Sequence, residues 1–249
     1  CEIYLSLICK YFLGIFMKKL IAISIASVLF SSAIYAGDTY LIQHVENAPV
    51  IDANEDDGAW GKADALTQFT FPWDTKLAPA TEFKAVWDDE AIYFRYRVDD
   101  KHVTIGEGER GALDSDRVEI FLAKNRDLEK YYTMEIDAKD QIYSAIGTFD
   151  TKINKRTSLI EYEWEGLKTR STVTDYGYLV EGSIPMSTLT NMQLWQNNDK
   201  TELICALMRA EFTKTESGID MGWIAWNDPR LPKPAFHNPK PFGTCKLVK

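Results

Sequence analysis

Along much of this chain apolar and polar residues alternate one for one, and that period leaves little room for anything but strands. Ile92, Phe94, Tyr96 and Val98 share one face, with Tyr93, Arg95 and Arg97 on the other. Side chains on a strand point alternately to its two faces, so this is the pattern of a half-buried strand. Phe83, Ala85 and Trp87 precede it and Asp88-Asp89-Glu90 supplies a turn, so 82–98 reads as a hairpin. Val118, Ile120 and Leu122 repeat the pattern, as do Tyr132, Met134 and Ile136, and Tyr178, Val180 and Ile184. Leu203, Cys205 and Leu207 predict another strand, and 244–248 the last. Helical periodicity is weak, with short turns expected at 54–63 and 185–189. Strands between frequent turn clusters predict an all-β fold, an antiparallel β-sandwich of the jelly-roll or immunoglobulin-like kind, with few short helices. The longest polar breaks are 101–115 and 213–222.

Met17-Lys18-Lys19 is followed by an apolar run from Leu20 to Phe30 and by Ser31-Ser32-Ala33-Ile34-Tyr35-Ala36. A short basic region, an apolar stretch and a small-residue exit are the layout of a secretory signal. The expectation is upstream translation over 1–16, a signal peptide over 17–36 and one domain over 37–249, secreted or periplasmic. A membrane anchor is the other reading, but the run is shorter than the ~20 residues of a span. The whole chain carries 28 basic and 37 acidic residues. Without the three lysines and one glutamate of 1–36, 25 and 36 remain, a formal charge of −11. So acidic a chain is a poor partner for nucleic acid or an anionic membrane. Cys205 and Cys245 are the cysteines left after residue 36. An oxidising compartment allows a disulfide between them, and two buried thiols is the other reading.

The candidate chemistry sits near the end. Trp223 and Trp226 lie three residues apart beside Asn227 and Asp228, ahead of Pro229, Pro232, Pro234, Pro239 and Pro241. An indole stacks on the apolar face of a pyranose, and amides and carboxylates take its hydroxyls. The competing reading is core packing, since Trp is highly buried on average. The prolines exclude a continuing helix or central strand. Acidic clusters at 55–57, 88–90, 99–100 and Asp114/Asp116 read first as solvated turns. An oxygen-rich turn also suits a structural calcium, although no EF-hand spacing is present. A glycosidase would need two carboxyls at a set separation, which sequence does not show. His44, His102 and His237 are scattered, and no nucleophile elbow, phosphate loop or dinucleotide fingerprint occurs.

Several motifs in series resemble those of the family 9 carbohydrate-binding modules. They are Pro49-Val50-Ile51-Asp52 with Gly58-Ala59-Trp60, and Ala85-Val86-Trp87-Asp88-Asp89-Glu90-Ala91-Ile92-Tyr93-Phe94. Asp116-Arg117-Val118-Glu119-Ile120-Phe121 and Tyr131-Tyr132 to Ile136 follow, then Gly177 to Pro185 and Arg209-Ala210-Glu211. Trp226-Asn227-Asp228-Pro229 and Phe242-Gly243 close the series. The resemblance covers about 48–249 and implies a non-catalytic β-sandwich that binds the end of an oligo- or polysaccharide. It implies a sugar held between two tryptophans, with Glu and Arg or Asn on its hydroxyls. Trp226 matches one tryptophan and Glu119 the glutamate. Leu113 stands at the other tryptophan position and Glu135 where an arginine is expected, so Trp223 or Trp73 would have to supply a second face. Arg209, Glu211 and Asn227 would add hydrogen bonds. Many relatives are attached to xylanases, so partner glycoside hydrolases are expected. Two other classes stay open: a haem-binding sandwich recruiting Met208, Met221 or His237, and a glycoside hydrolase.

Overall fold

The alternating segments form strands, and the computed structural model describes residues 38–55, 58–195 and 201–249. The leader reading over 17–36 lies outside the described residues. The strands are β1 (Thr39–His44), β2 (Thr81–Trp87), β3 (Ala91–Asp99), β4 (Arg117–Ala123), β5 (Tyr131–Asp137) and β6 (Ile142–Asp150). They continue with β7 (Lys155–Glu161), β8 (Lys168–Val173), β9 (Gly177–Pro185), β10 (Glu202–Thr215), β11 (Gly218–Ala225) and β12 (Gly243–Val248). The weak helical signals become a 3₁₀ turn at Gly58–Lys62 and one short helix, α1 (Met186–Asn191).

The strands hydrogen-bond in the order β7-β6-β5-β4-β10-β12-β1-β2-β3-β9-β8, with β11 added to the far half of β10. This sheet curls on itself into a sandwich. Neighbours run antiparallel except β1, which lies parallel to both β12 and β2. Between the layers sit the apolar faces read from the alternation: Phe83, Phe94, Tyr96 and Val98 from one side, and Val118, Ile120, Met134, Ile136, Cys205 and Leu207 from the other.

Two features depart from the simple alternation. The polar stretch 213–222, expected as a loop, is the tip of a hairpin in which Thr213 pairs Asp220 and Thr215 pairs Gly218. It is polar because it runs past the sheet and exposes both faces. In β4 and β5, by contrast, every residue is buried. Their inner faces meet the opposite layer. Their outer faces are roofed by residues of 226–242, which pack Phe236 and Phe242 over Phe121 and Tyr131. The charged residues of these strands are therefore inside the protein.

A disulfide joins Cys205 on β10 to Cys245 on β12, with Cα atoms 5.9 Å apart, at the seam where the layers meet. It closes a chain segment of 40 residues, and by the chain-entropy account such a cross-link stabilises by about 4 kcal/mol. Unreduced protein should have no titratable thiol from this pair, and reduction should lower the thermal midpoint. Two reactive thiols in denatured, unreduced protein, or an unchanged melt on reduction, would contradict the bridge.

Candidate functional site

The roofed outer face of β4 and β5 holds a buried charged cluster. Strand register sets Met208, Glu119, Glu135 and Tyr143 side by side across β10, β4, β5 and β6. Two glutamates directly opposite each other repel unless something intervenes. Arg117, two residues before Glu119 and on the same face, does so. Its Nε donates to Glu135 Oε2 at 2.6 Å and its Nη2 lies 3.1 Å from Glu119 Oε1. Its Nη1 donates to the Leu113 carbonyl at 3.0 Å, which ties the preceding loop down. One guanidinium faces two carboxylates. Burial raises Glu119 to about 8; the charge of Glu135 adds to the rise and Arg117 opposes it. Burial likewise raises Glu135, against Arg117. Glu119 Oε1 is buried and accepts no aligned hydrogen bond.

Above this floor lies a cavity of about 600 Å³, lined among others by Trp73, Leu113, Trp223, Phe236 and His237. That is within the ~300–1,000 Å³ of ordinary ligand pockets. Its aromatic wall is continuous. Trp223 meets Phe236 edge-on at 5.9 Å, and Phe236 packs on Trp73 at 5.5 Å. The Trp73 indole is fixed by donating to the Leu231 carbonyl at 2.7 Å. Half-buried Trp73 and Trp223 thus offer indole surface beside an acceptor-rich floor. His237 Nδ1 lies 2.9 Å from the Tyr131 hydroxyl. Burial, with Arg156 and Arg117 nearby, lowers His237 to about 3, so the ring is neutral. The Tyr131 ring needs Gly147 opposite it, where a Cβ would come within 2.1 Å.

Of the residues singled out in the sequence, Glu119 and Trp223 come together here, with Leu113, Glu135 and Trp73. Trp226 does not. On an extended chain two residues three apart face opposite ways, so Trp223 turns to the cavity and Trp226 to the inter-layer core, 6% exposed. Asn227 is also structural: its Oδ1 accepts from the Asp38 amide at 3.1 Å, anchoring the start of the roof. Arg209 and Glu211 share the inward face of β10 with Leu207, which places them away from the pocket. Arg209, 0% exposed, donates to Thr81 Oγ1 and to the Asp99 carbonyl, both at 3.2 Å, and pairs with Glu211. Met208 is packed beneath the roof and Met221 is exposed on the β10–β11 hairpin; neither lines the cavity with His237. Sequence reading missed Arg117 and the wall from Tyr143 through Arg156. The usable signal was Arg117, Glu119, Glu135 and Asp137 recurring at every second position on adjacent strands.

Asp100, Asp116 and Glu211 form a separate acidic group, with one oxygen of each within 4.8 Å of the others. Arg209 Nη2 approaches Asp100 at 3.9 Å, leaving three carboxylates against one guanidinium. Asp116 accepts from the Thr104 and Phe212 amides. Burial raises it to about 8; those amides oppose the rise, and Asp100 and Glu211 add to it. Asp100 Oδ2 is buried without a hydrogen bond. An all-oxygen set with surplus negative charge fits calcium, and these three residues would hold it.

The chain matches the model of the carbohydrate family 9 binding domain-like family over residues 51–249 and belongs to that family. It is 30% identical over 162 residues to the exoglucanase XynX of Acetivibrio thermocellus, covering 63% of this chain and 14% of that protein. It is 26% identical over 201 residues to an endo-1,4-beta-xylanase A of Thermoanaerobacterium saccharolyticum, covering 78% of this chain and 16% of that one. The match thus spans about a seventh of each enzyme's length. Among solved structures, the fold is similar to a family 9 module from Caldicellulosiruptor kristjanssonii in complex with glucose, with TM-score 0.60 and 17% identity. That likeness covers 85% of this chain and 96% of that one.

The buried acids set a pH dependence. Unfolded, Asp116 and Glu119 titrate near 3.8 and 4.5; folded, both hold protons up to about 8. The folded state then binds more protons, so this contribution is fully present below the unfolded values and lost as pH rises toward 8. His237 acts in the reverse sense below 6.5. Across 6.5 to about 8 the acids act alone, and the thermal midpoint should fall. Millimolar calcium, by favouring the Asp116 carboxylate, should raise the midpoint more at pH 8 than at pH 6.5. A midpoint that climbs across this window would contradict the buried acids, and no response to calcium would contradict the cation site.

Proposed function

We propose that this protein is an exported, non-catalytic saccharide-binding protein that holds one end of an oligo- or polysaccharide in the cavity above β4 and β5. The observation that carries the reading is the joining of half-buried Trp73 and Trp223 to the Arg117–Glu119–Glu135 floor. A pyranose presents an apolar C–H face to an indole and hydroxyls to acceptors such as Glu119 Oε1. Family membership supports it, as do the solved modules from Caldicellulosiruptor kristjanssonii, which hold glucose and cellotriose. The relatives named as exoglucanase and xylanase support a role beside glycoside hydrolases.

Binding is favoured over cleavage by the placement of the carboxyls. A glycosidase flanks the scissile bond with two of them, whereas Glu119 and Glu135 share one guanidinium on one floor. The 17–36 segment supports export. N-terminal sequencing of the exported protein should begin at Gly37, and retention of Met17 would contradict removal of the leader.

The two tryptophans should separate in their effects. Trp223→Ala should weaken oligosaccharide binding about ten- to hundredfold, by loss of stacking of roughly 1–3 kcal/mol, with a near-normal melt. Trp226→Ala should instead cost about 3–5 kcal/mol of stability. Calorimetry with xylo- and cello-oligosaccharides, paired with thermal melts, measures both. Unchanged affinity in folded Trp223→Ala would remove this cavity as the site.

A further inference from the structure

From the charges around the cavity we infer that its ligand is an anionic sugar, a pyranose bearing a carboxylate or a sulfate ester, rather than a neutral one. The inference rests on the saccharide reading of this cavity and narrows it. The chain is strongly acidic, at −9 overall, yet the cavity is lined by three cations, Arg117, Lys155 and Arg156, against two acids, Glu119 and Glu135. Arg117 is committed to those two acids. Lys155 and Arg156 are exposed, and neither is in an ion pair with another described residue.

Local backbone structure brings both cations to the cavity. Consecutive residues of a regular strand point to opposite faces, so Lys155 and Arg156 should not line one pocket. The β6–β7 ladder slips between Thr148 and Phe149, so that Ser158 pairs Thr148 but Arg156 pairs Phe149. The extra residue is Thr157; beyond it Lys155 is the first residue of β7, where the ladder ends, and both Lys155 and Arg156 line the cavity. The charge of Arg156 also reaches Tyr131, Glu135 and His237. Lysine ammonium and guanidinium only donate, so this side of the cavity is rich in donors and suits an anion.

The test is calorimetry on the mature protein with length-matched ligands. These are neutral xylo- and cello-oligosaccharides, uronate-bearing oligosaccharides and sulfated oligosaccharides. An anionic ligand should bind at least about tenfold tighter than its neutral counterpart at roughly 0.02 M salt, and most of that preference should vanish by roughly 0.5 M, where screening is strong. Tighter binding of the uronates identifies the carboxylate, and tighter binding of the sulfated ligands the ester. In Lys155→Gln/Arg156→Gln, checked for an unchanged melt, the anionic-to-neutral ratio should fall toward one. Lys214→Gln, on the exposed β10–β11 hairpin, should keep the preference. Equal or tighter binding of neutral sugars by the wild type would overturn this inference while leaving saccharide binding intact. No binding of any of these ligands would instead overturn the saccharide reading itself.

Discussion

A single guanidinium holding two carboxylates inside the protein is the constraint on which the rest of the site depends. Arg117, Glu119 and Glu135 sit on the outer face of a sheet, where an ordinary sandwich would meet water. Because 226–242 and Trp73 roof that face, the three are desolvated together. Removing one partner of such a group leaves an uncompensated buried charge, which is strongly destabilising. The cluster is therefore tolerable only as a set. Burial and the facing glutamates favour a shared proton, and Glu119 Oε1, although Arg117 lies beside it, accepts no aligned hydrogen bond. That spare capacity makes the floor suitable for a ligand rich in hydroxyls.

The proline-rich end acts as scaffold and wall at once. Trp226 and Asn227 fix where the roof begins, one in the inter-layer core and the other on the Asp38 amide. Pro234 to Asn238 then line the cavity. The Trp-Asn-Asp-Pro motif thus helps shape the pocket without its tryptophan or asparagine entering it. A second polar centre at Arg209 and the Asp100–Asp116–Glu211 group lies on the inward face and joins β10 to the ends of β2 and β3.

Strands with one apolar face were legible because burial on that face imposes the period of two: β2 and β3, β4, β5, β9, and the cysteine-bearing β10 and β12. Exposed β7 and β8 were not, since with little to bury they carry no such period. The β10–β11 hairpin tip was hidden for the same reason. At the site, sequence pointed to the right neighbourhood through Glu119, Leu113, Glu135 and the tryptophan pair. Which tryptophan faces the ligand depends on strand parity, and whether a charged strand face is wet or roofed depends on a loop more than a hundred residues away. Neither is a local property. Lys155 and Arg156 were invisible because they start the exposed strand β7, where no apolar period marks which way a side chain faces.

Site-resolved nuclear magnetic resonance of the indole N–H groups tests the central claim most directly. With oligosaccharide added, the Trp223 and Trp73 resonances should shift in saturable fashion with one common affinity, and Trp226 should stay in place. A saturable shift confined to Trp226, or to tryptophans outside the cavity, would contradict the account.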